Sequence, residues 1–348
     1  MAKLQQEFNK FEDNIRLSDI DDNKPLREKR DMLIDELREW GKKNDKPNFD
    51  WFNQGSYDMS MGIKPQEEDD HDIDVAIVYN INIDDYEDPT EVKKWFIDAL
   101  KKGKREVTIM TSCVRVQYRE DGELKYHVDF AIYGKELDDE GEEIQKYLAK
   151  GKEFAAKENR FWQEAEPKKL KKLIKEDMFK DDEKLGGEKR AEYRRIGRYF
   201  KRWKDHNFTS DGNARPTGIS KVAICYEWFV PQVKKNWEGK VEKTDIISFK
   251  ETVRRTIDNN HGLDVELPVK PHNKLFEKLQ RRENNTKNYK EKLADLFQAL
   301  SDAYDEPDPH EAAKILEKVL GPDFPIPEKE NTAKSTAAPA ITTSSVNG

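Results

Sequence analysis

The spacing of apolar and polar positions along the chain predicts a mixed sheet with helices packed against it. Apolar residues recur with helical spacing over Leu26–Trp40, which predicts an amphipathic helix. A short β-branched run over residues 73–79 is typical of a buried strand. A helix over Glu91–Leu100 and strands over Val107–Tyr118 and Tyr126–Tyr133 follow. The alternation of these elements predicts a mixed sheet in the first part of the chain.

The second part of the chain has long, lysine-rich helical periodicity that begins near Glu153. A turn predicted at Asp121-Gly122 joins the two strands that precede this change, and Gly186-Gly187 predicts a break before the next helix. The predicted helices cover residues 188–206, 219–230, 249–257, 273–304 and 310–320. We therefore predict a bilobed chain of the mixed α+β class. Its divisions are a sheet lobe with an N-terminal helix (1–187), a helical lobe (188–327) and a disordered tail (328–348).

Composition narrows the classes of protein to which the chain can belong. It has 63 Lys and Arg against 71 Asp and Glu in 348 residues, a net charge of −8, which argues against a general DNA-coating protein. Its longest apolar runs, among them Val75–Tyr79, are far shorter than the about 20 residues of a membrane-spanning helix. Residues 1–10 lack the apolar centre of a signal peptide. With only two cysteines, Cys113 and Cys225, we expect a globular protein of the reducing cytoplasm.

Three aspartates occupy positions at which a sheet can bring their side chains together. Asp72 and Asp74 are two residues apart on one strand, so both leave the same face, roughly 6–7 Å apart along the strand. Asp129 lies in a second strand between Val128 and Phe130, where Asp is disfavoured. Neighbouring strands are about 4.8 Å apart, so Asp129 can complete a three-carboxylate cluster. The alternative is that the Asp72-x-Asp74 pair is a solvated strand end.

A cluster of three carboxylates indicates a bound cation. Burial of three uncompensated negative charges is very costly, and hard divalent cations remove that cost. Magnesium prefers carboxylate oxygens together with substrate phosphates. Two such ions about 4 Å apart stabilise both the attacking and the leaving oxygen of an in-line displacement.

The tripeptide Gln54-Gly55-Ser56 predicts a phosphate-binding loop before the first aspartate. Glycine lets the backbone approach a phosphate closely, and the backbone N–H groups and the Ser56 hydroxyl can donate to it. Taken alone, the tripeptide is an ordinary turn. Its order relative to Asp72-x-Asp74 and then Asp129 favours the functional interpretation.

The order Gly-Ser, Asp-x-Asp and hydrophobic-Asp-hydrophobic resembles the DNA polymerase β-like nucleotidyltransferases. Residues 54–65, Gln-Gly-Ser-Tyr-Asp-Met-Ser-Met-Gly-Ile-Lys-Pro, followed by residues 72–75, are similar to the bacterial cGAS/DncV-like nucleotidyltransferases (CD-NTases) of CBASS anti-phage systems. Residues 199–204 look like the Lys-x-Trp helix of that family, and residues 215–220 look like its Pro-Ser segment. The resemblance covers residues 1–327.

This resemblance implies a bilobed polymerase β-like fold and an enzyme that joins NTPs into a cyclic di- or trinucleotide and releases pyrophosphate. It implies that Asp72, Asp74 and Asp129 hold two Mg²⁺ ions, with Mn²⁺ as the alternative, and that Asp129 deprotonates the attacking ribose hydroxyl. The implied nucleotide-binding residues are Gln54, Gly55, Ser56, Lys201 and Ser220. A purine product of the cyclic GMP–AMP kind, made from ATP and GTP and read by a CBASS effector, is the expectation.

Each nucleotide contact expected from the helical lobe has a simpler alternative. Lys201 lies among many basic residues, so it can belong to a solvated helix face. Ser220 lies near a predicted helix start, where a serine can simply cap the helix. The lysine-dense residues 168–175 have an RNA-binding surface as the alternative to a solvated helix.

Two other functions remain open at this point. One is a nucleotidyltransferase that modifies an RNA or protein acceptor, and the other is a catalytically inactive nucleotide-binding module. Some members of the family are conjugated by ubiquitin-like machinery through a C-terminal glycine. By resemblance Gly348 is a candidate for that conjugation, and the alternative is a terminus without a function.

Overall fold

The computed structural model describes residues 4–17, 24–66, 71–120, 123–209 and 214–329; for residues 24–26, 71–72, 119–120 and 123–126 it describes the backbone only. The helices and strands in chain order are α1 (Gln5–Ile15), α2 (Lys24–Lys43), β1 (Phe49–Gln54), α3 (Gly55–Asp58), β2 (His71–Asn82), α4 (Pro89–Leu100), β3 (Arg105–Ile109), β4 (Val114–Glu120), β5 (Glu123–Leu137), β6 (Glu143–Lys150), β7 (Phe161–Glu164), α5 (Pro167–Lys172), α6 (Gly186–Asn207), α7 (Gly218–Trp228), β8 (Lys234–Lys235), β9 (Val241–Glu242), α8 (Asp245–Asp258), α9 (Glu277–Gln280), α10 (Glu283–Asp305) and α11 (Pro309–Leu320). None of these helices has the length and apolar character needed to cross a membrane.

The main sheet confirms the predicted mixed α+β class. Within the described residues it has seven strands, ordered β1-β2-β5-β4-β3, with β6 paired to the last residues of β5 and β7 paired to β6. Strands β2 and β5 run parallel at its centre, and the other neighbouring strands run antiparallel.

The two faces of the central strands differ in their side chains and in what they contact. One face of β2 and β5, with Val75, Ile77 and Phe130, is buried against α2 and α4 in an apolar core. On the other face the small residues Ala76 and Ala131 lie beyond the aspartates. Because side chains alternate along a strand, this second face carries Asp74 and Asp129 towards the helical lobe.

Helix α6 passes through the centre of the helical lobe, where Tyr193, Ile196 and Trp203 are completely buried. Helix α1 packs on the same core, with the rings of Phe8 and Phe11 5.4 and 5.2 Å from that of Tyr199. No helix is predicted over this polar segment, because its few apolar residues find their partners only in α6 and near the C-terminal end. The predicted division at residue 187 stays a prediction, and α1 packs with the helical lobe.

A loop of residues 60–64, which follows α3, connects the two lobes. Three cationic side chains of α6 donate to its backbone carbonyls: Arg198 to Ser60 at 2.6 Å, Lys201 to Met61 at 2.8 Å and Arg202 to Lys64 at 2.7 Å. Helix α1 adds a backbone bond of 2.8 Å from the Lys64 N–H to the Ile15 carbonyl. The 60–64 loop is therefore fixed from the helical side while its chain continues into the sheet.

The single strand predicted over Val107–Tyr118 is wrong, because the chain reverses within it. Strands β3 and β4 form a hairpin, closed by a 2.9 Å bond from the Met110 N–H to the Cys113 carbonyl. The ammonium of Lys93 in α4 donates to the carbonyls of Met110 and Thr111, both at 3.0 Å, and stabilises this turn from outside. The predicted turn at Asp121-Gly122 lies outside the described residues.

Two further predictions need correction. Strand β7 lies in the region predicted as helical, and with β6 it extends the sheet beside the end of β5. The predicted helix over residues 273–304 is interrupted between α9 and α10. The first residues of that segment are extended instead, since the Leu275 N–H donates to the Val265 carbonyl at 3.0 Å. The predicted tail lies outside the described residues from residue 330 onward.

Candidate functional site

A cavity of about 660 Å³ lies between the open face of the sheet and the helical lobe. Its walls come from α3 and the 60–64 loop, from the central strands, and from α6 and the start of α7. The lining residues that carry the argument below are Gly55, Ser56, Asp74, Arg115, His127, Lys201, Lys204, Asp205 and Arg215.

A row of polar side chains crosses the sheet at one level. Asp74 on β2 has Gln54 of β1 opposite it on one side and Asp129 of β5 on the other. Arg115 on β4 is opposite Asp129 and ends the row. Paired residues of neighbouring strands share a face, so the two carboxylates leave the sheet side by side. Burial raises the pKa of the Cys113 thiol to about 12, with further contributions from both Asp129 and Asp74, which lie near it.

The carboxylate of Asp129 is held by a guanidinium group. Arg115 donates from Nε to Oδ1 at 2.8 Å and from its terminal nitrogen to Oδ2 at 2.7 Å. Asp129 is 8% exposed and does not line the cavity, whereas Arg115 does. In this structure the arginine lies between the cavity and the predicted catalytic acid.

Gly55 allows the backbone to pass directly beside Asp74. It has a φ of +73°, and a Cβ at this residue would lie 2.0 Å from Asp74 Oδ2. The next residue, Ser56, lines the cavity. The loop predicted at Gly55-Ser56 is wrong, because these residues begin the short helix α3 directly after β1. The segment is nevertheless adjacent to the Asp74 carboxylate.

Gln54 does not line the cavity, because its side chain turns along the sheet. Its Oε1 accepts a 3.0 Å hydrogen bond from the hydroxyl of Tyr133. Burial raises the pKa of Tyr133, which keeps this hydroxyl protonated as a donor. A direct nucleotide contact by Gln54 stays a prediction, and the observed contact supports the end of β1.

The carboxylates of Asp74 and Asp129 fit a hard divalent cation, since oxygen ligands are what Mg²⁺ prefers. The backbone of Asp72 pairs with His127 in the same register, but its side chain lies outside the described residues. Among side chains that are described, no group of three His, Cys, Asp and Glu residues could hold an ion. The assignment of Asp72 as a ligand therefore stays a prediction.

The helical wall of the cavity is basic. Lys204 Nζ lies 2.7 Å from Asp205 Oδ1, and the guanidinium of Arg215 pairs with the same carboxylate. Burial tends to raise the pKa of Asp205, but these two cations lower it below its ordinary value. The ammonium of Lys201 lines the same wall, near its acceptor in the 60–64 loop. A basic wall that faces the Asp74 carboxylate across the cavity suits a polyphosphate with bound cations.

Ser220 lies outside the cavity wall and is completely buried. Its hydroxyl donates to the Thr217 carbonyl at 2.7 Å, while the Thr217 hydroxyl accepts from the Ser220 N–H at 3.3 Å. These contacts belong to the first turn of α7. The cap of α7 is therefore Thr217, and the alternative that Ser220 caps the helix is wrong, because the Ser220 hydroxyl donates to a carbonyl and accepts no backbone N–H from the described residues. A phosphate contact by Ser220 stays a prediction.

Several residues of the site were not predicted. Arg115, His127, Asp205 and Arg215 line the cavity, yet none was proposed as a site residue. Arg115 stands between Val114 and Val116, where a charged side chain on the inner face of a strand demands a partner. That signal was present in the sequence, but the identity of the partner required the strand register.

Residues 49–133 match a family model described as the nucleotidyltransferase domain of cyclic GMP-AMP synthase DncV-like proteins. The whole fold is similar to that of Vibrio cholerae DncV, a cyclic AMP-GMP synthase and prokaryotic cGAS homolog, with a TM-score of 0.67, 16% identity and coverage of 92% of this chain and 97% of that one. The apo form of DncV gives a TM-score of 0.67 at 17% identity, covering 92% and 96%. A DncV mutant in complex with ATP, GTP and 5MTHFGLU2 gives 0.65 at 16%, with the same coverage. No curated protein matches the sequence of this chain.

Proposed function

We propose that this chain, which carries a DncV-like nucleotidyltransferase domain, joins NTPs into a cyclic dinucleotide and releases pyrophosphate. The observation that carries the proposal is the register of Asp74 and Asp129 at a cavity whose opposite wall is basic. The similarly folded DncV is a cyclic AMP-GMP synthase, and one of its structures contains the linear intermediate pppA(3′,5′)pG. A purine product made from ATP and GTP is the corresponding proposal for this chain.

The reaction is an in-line displacement at phosphorus. A ribose hydroxyl oxygen forms a bond to the α-phosphorus of an NTP, and the bond from that phosphorus to the bridging oxygen of the β-phosphate breaks. Pyrophosphate leaves with the electron pair, and the hydroxyl proton passes to the carboxylate of Asp129. A second such attack closes the ring.

The residues around the cavity divide these tasks. Asp72, Asp74 and Asp129 would hold Mg²⁺, which when bound neutralises the charge of the phosphates and of the leaving oxygen. Ser56 and the adjacent backbone orient the triphosphate beside Asp74, because Gly55 lets the chain approach closely. Lys201, Lys204 and Arg215 supply positive charge from the helical wall.

Mass spectrometry of the product tests the proposal. The purified protein is incubated with Mg²⁺ and all four NTPs without any other acceptor, and we expect a phosphatase-resistant cyclic purine dinucleotide. Asp74→Asn and Asp129→Asn should each reduce product formation by at least about 100-fold, as expected for groups that act on the reacting atoms. Asp50→Asn, which changes an exposed acid on β1 of the same sheet, is the matched control and should retain full activity.

The same experiment separates the alternatives. Product formation only after addition of an RNA or a protein would identify an acceptor-modifying transferase. Nucleotide binding without turnover, equal in the wild type and in Asp129→Asn, would identify an inactive binding module.

We also propose a role in CBASS anti-phage defence through an effector that binds the product. The proposal is supported by the resemblance of residues 54–65 and 72–75 to CD-NTases. Conjugation at Gly348, which lies outside the described residues, stays a prediction. Unchanged conjugation and phage protection after deletion of Gly348 would rule it out.

A further inference from the structure

The pair formed by Arg115 and Asp129 is placed where it can control access to the acid. Arg115 lies directly opposite Asp129 in the antiparallel register of β4 and β5, so backbone pairing fixes both residues at one level. Its guanidinium uses two nitrogens on the two carboxylate oxygens, at 2.8 and 2.7 Å. This bidentate geometry is the strongest that an arginine and a carboxylate can form.

The two partners differ in their access to the cavity. The side chain of Arg115 is 31% exposed and lines the cavity, whereas that of Asp129 is 11% exposed and lies behind it. A cation or a ribose hydroxyl that enters from the cavity therefore meets the guanidinium before it meets the acid.

The positive charge of Arg115 also compensates the negative charge of Asp129, as a metal ion would. Asp129 lies beside Asp74, and two neighbouring carboxylates in a partly buried site repel each other. The guanidinium does not lose its proton in proteins, so it provides a permanent positive charge at this place. A divalent cation that binds Asp129 must share its oxygens with that charge or displace it.

We propose that Arg115 is a positioning residue that acts as an internal counter-cation for Asp129 and competes with the divalent ion. Before ligands bind, it holds the Asp129 carboxylate in one orientation; when the ion binds, at least one of its two hydrogen bonds to the carboxylate breaks. The inference rests on the proposed function, in which Asp129 holds a divalent cation. Arg115 thereby sets the cation concentration at which the site fills.

Direct binding of Mn²⁺ in the absence of nucleotide tests this competition. Isothermal titration calorimetry is carried out with the wild type, Arg115→Met and Arg115→Lys. Arg115→Met should bind Mn²⁺ at least tenfold more tightly than the wild type, since a positive charge has left the ligand oxygens. Arg115→Lys should lie between the two, because an ammonium keeps the charge but loses the bidentate geometry. A purely structural role for Arg115 predicts the opposite change, because a misplaced Asp129 binds the ion more weakly.

Arg105→Met is the matched control variant. Arg105 on β3 forms an equally bidentate pair with Glu36 of α2, with both distances at 2.7 Å, so the substitution removes the same charge and the same type of pair from the same sheet. The control should bind Mn²⁺ with an affinity within twofold of that of the wild type. If Arg105→Met and Arg115→Met gained the same affinity for Mn²⁺, the gain would come from the change in overall charge, and the proposal would be overturned.

Asp129→Asn separates failure of this inference from failure of the proposed function. If Asp129→Asn weakens Mn²⁺ binding while Arg115→Met does not tighten it, the competition is refuted and the cation site stands. If Asp129→Asn leaves Mn²⁺ binding unchanged, Asp129 is not a ligand and both proposals fail. Should Arg115→Met not fold, Arg115→Lys decides, and equal or weaker binding than in the wild type refutes the inference.

Discussion

At residue 55 the chain needs both a left-handed backbone and the absence of a side chain. The φ of +73° is a conformation that disfavours a Cβ, and the Cβ itself would lie 2.0 Å from Asp74 Oδ2 and 2.9 Å from Asp74 Cβ. The second contact is close to the backbone of β2, so rotation of the Asp74 side chain alone does not remove the clash. Gly55 thus determines where the Asp74 carboxylate can lie.

Gly55→Ala should therefore reduce nucleotidyl transfer much more than it reduces stability. A displacement of about 1 Å at the reacting groups costs about 100-fold in rate, and we expect a loss of that order. The positive φ adds a loss of about 1–2 kcal/mol in the free energy of unfolding. Initial rates with NTPs and denaturant unfolding measure the two effects.

Gly103→Ala is the control for this prediction, because Gly103 also has a positive φ, +59°, but has open space where its Cβ would lie. It should lose similar stability and keep its activity. Comparable activity losses in the two variants would show that backbone strain, and not the clash with Asp74, is responsible.

Among the elements, α4 depends on one buried lysine for its connection to the sheet. The ammonium of Lys93 is completely buried and donates to the carbonyls of Met110, Thr111 and Gly151, at 3.0, 3.0 and 2.9 Å. Three carbonyl acceptors satisfy the ammonium, yet burial lowers the pKa of Lys93 to about 8. The turn between β3 and β4, which precedes Arg115, is thereby fixed to a helix on the other side of the sheet.

This lowered pKa predicts a pH dependence of stability. Between pH 8 and the ordinary lysine value of 10.5 the unfolded chain binds more protons at Lys93 than the folded chain does, so this group stabilises the fold increasingly as pH rises. From pH 7 to pH 10 the free energy of unfolding of the wild type should gain about 2–3 kcal/mol relative to that of Lys93→Met.

Denaturant unfolding of both proteins over this pH range provides the measurement. Lys102→Met, which removes an exposed lysine from the same lobe, should show the pH dependence of the wild type. A constant difference between the wild type and Lys93→Met from pH 7 to pH 10 would contradict the prediction.

In the whole molecule, the lobes are joined by buried charge as well as by apolar packing. Arg198 of α6 donates to both carboxylate oxygens of Glu12 in α1 and to the Ser60 carbonyl of the 60–64 loop. The two side chains are 5% and 10% exposed, so neither can be solvated if the other is lost. One guanidinium thus holds together an N-terminal helix, the central helix and the loop that leads to the sheet.

Arg198→Met should lower the free energy of unfolding by about 3–5 kcal/mol, because it leaves the Glu12 carboxylate buried without its partner. The double variant with Glu12→Gln should be less destabilised than the sum of the single variants, since the uncompensated charge is then absent. Denaturant unfolding measures all three. Arg254→Met, which breaks exposed pairs with Glu251 and Asp258, is the control and should change stability by less than about 1 kcal/mol.

The sequence was sufficient for features that depend on local pattern. Three elements were predicted in this way: the buried strand around Asp74, the strand around Asp129 and the central helix around Trp203. Their apolar periodicity can be recognised from residues that are neighbours in the sequence. The need for glycine at residue 55 could also be predicted, since close backbone approach requires it, but the loop predicted there is the first turn of α3. Together these features predicted where on the sheet the candidate site lies.

Features that depend on contacts between distant residues were missed. The reversal between β3 and β4 is stabilised by Lys93, and helix α1 buries its apolar side in the helical lobe. In neither case does the sequence of the segment itself indicate the distant residues that it contacts. The same holds for Arg115, whose role depends on which residue of β5 lies opposite it.

The amino-acid sequence by itself determined the local elements and the groups predicted for the chemistry: three acids on two neighbouring strands, a glycine-serine segment and a lysine on the central helix. Only the tertiary structure decided what holds them. Strand register placed Arg115 on Asp129, and the packing of α6 on the 60–64 loop gave Lys201 a backbone carbonyl as its acceptor. The physical reason is that side-chain types and periodicities are local properties, whereas the partner of a buried charge is set by the relative position of elements far apart in the chain.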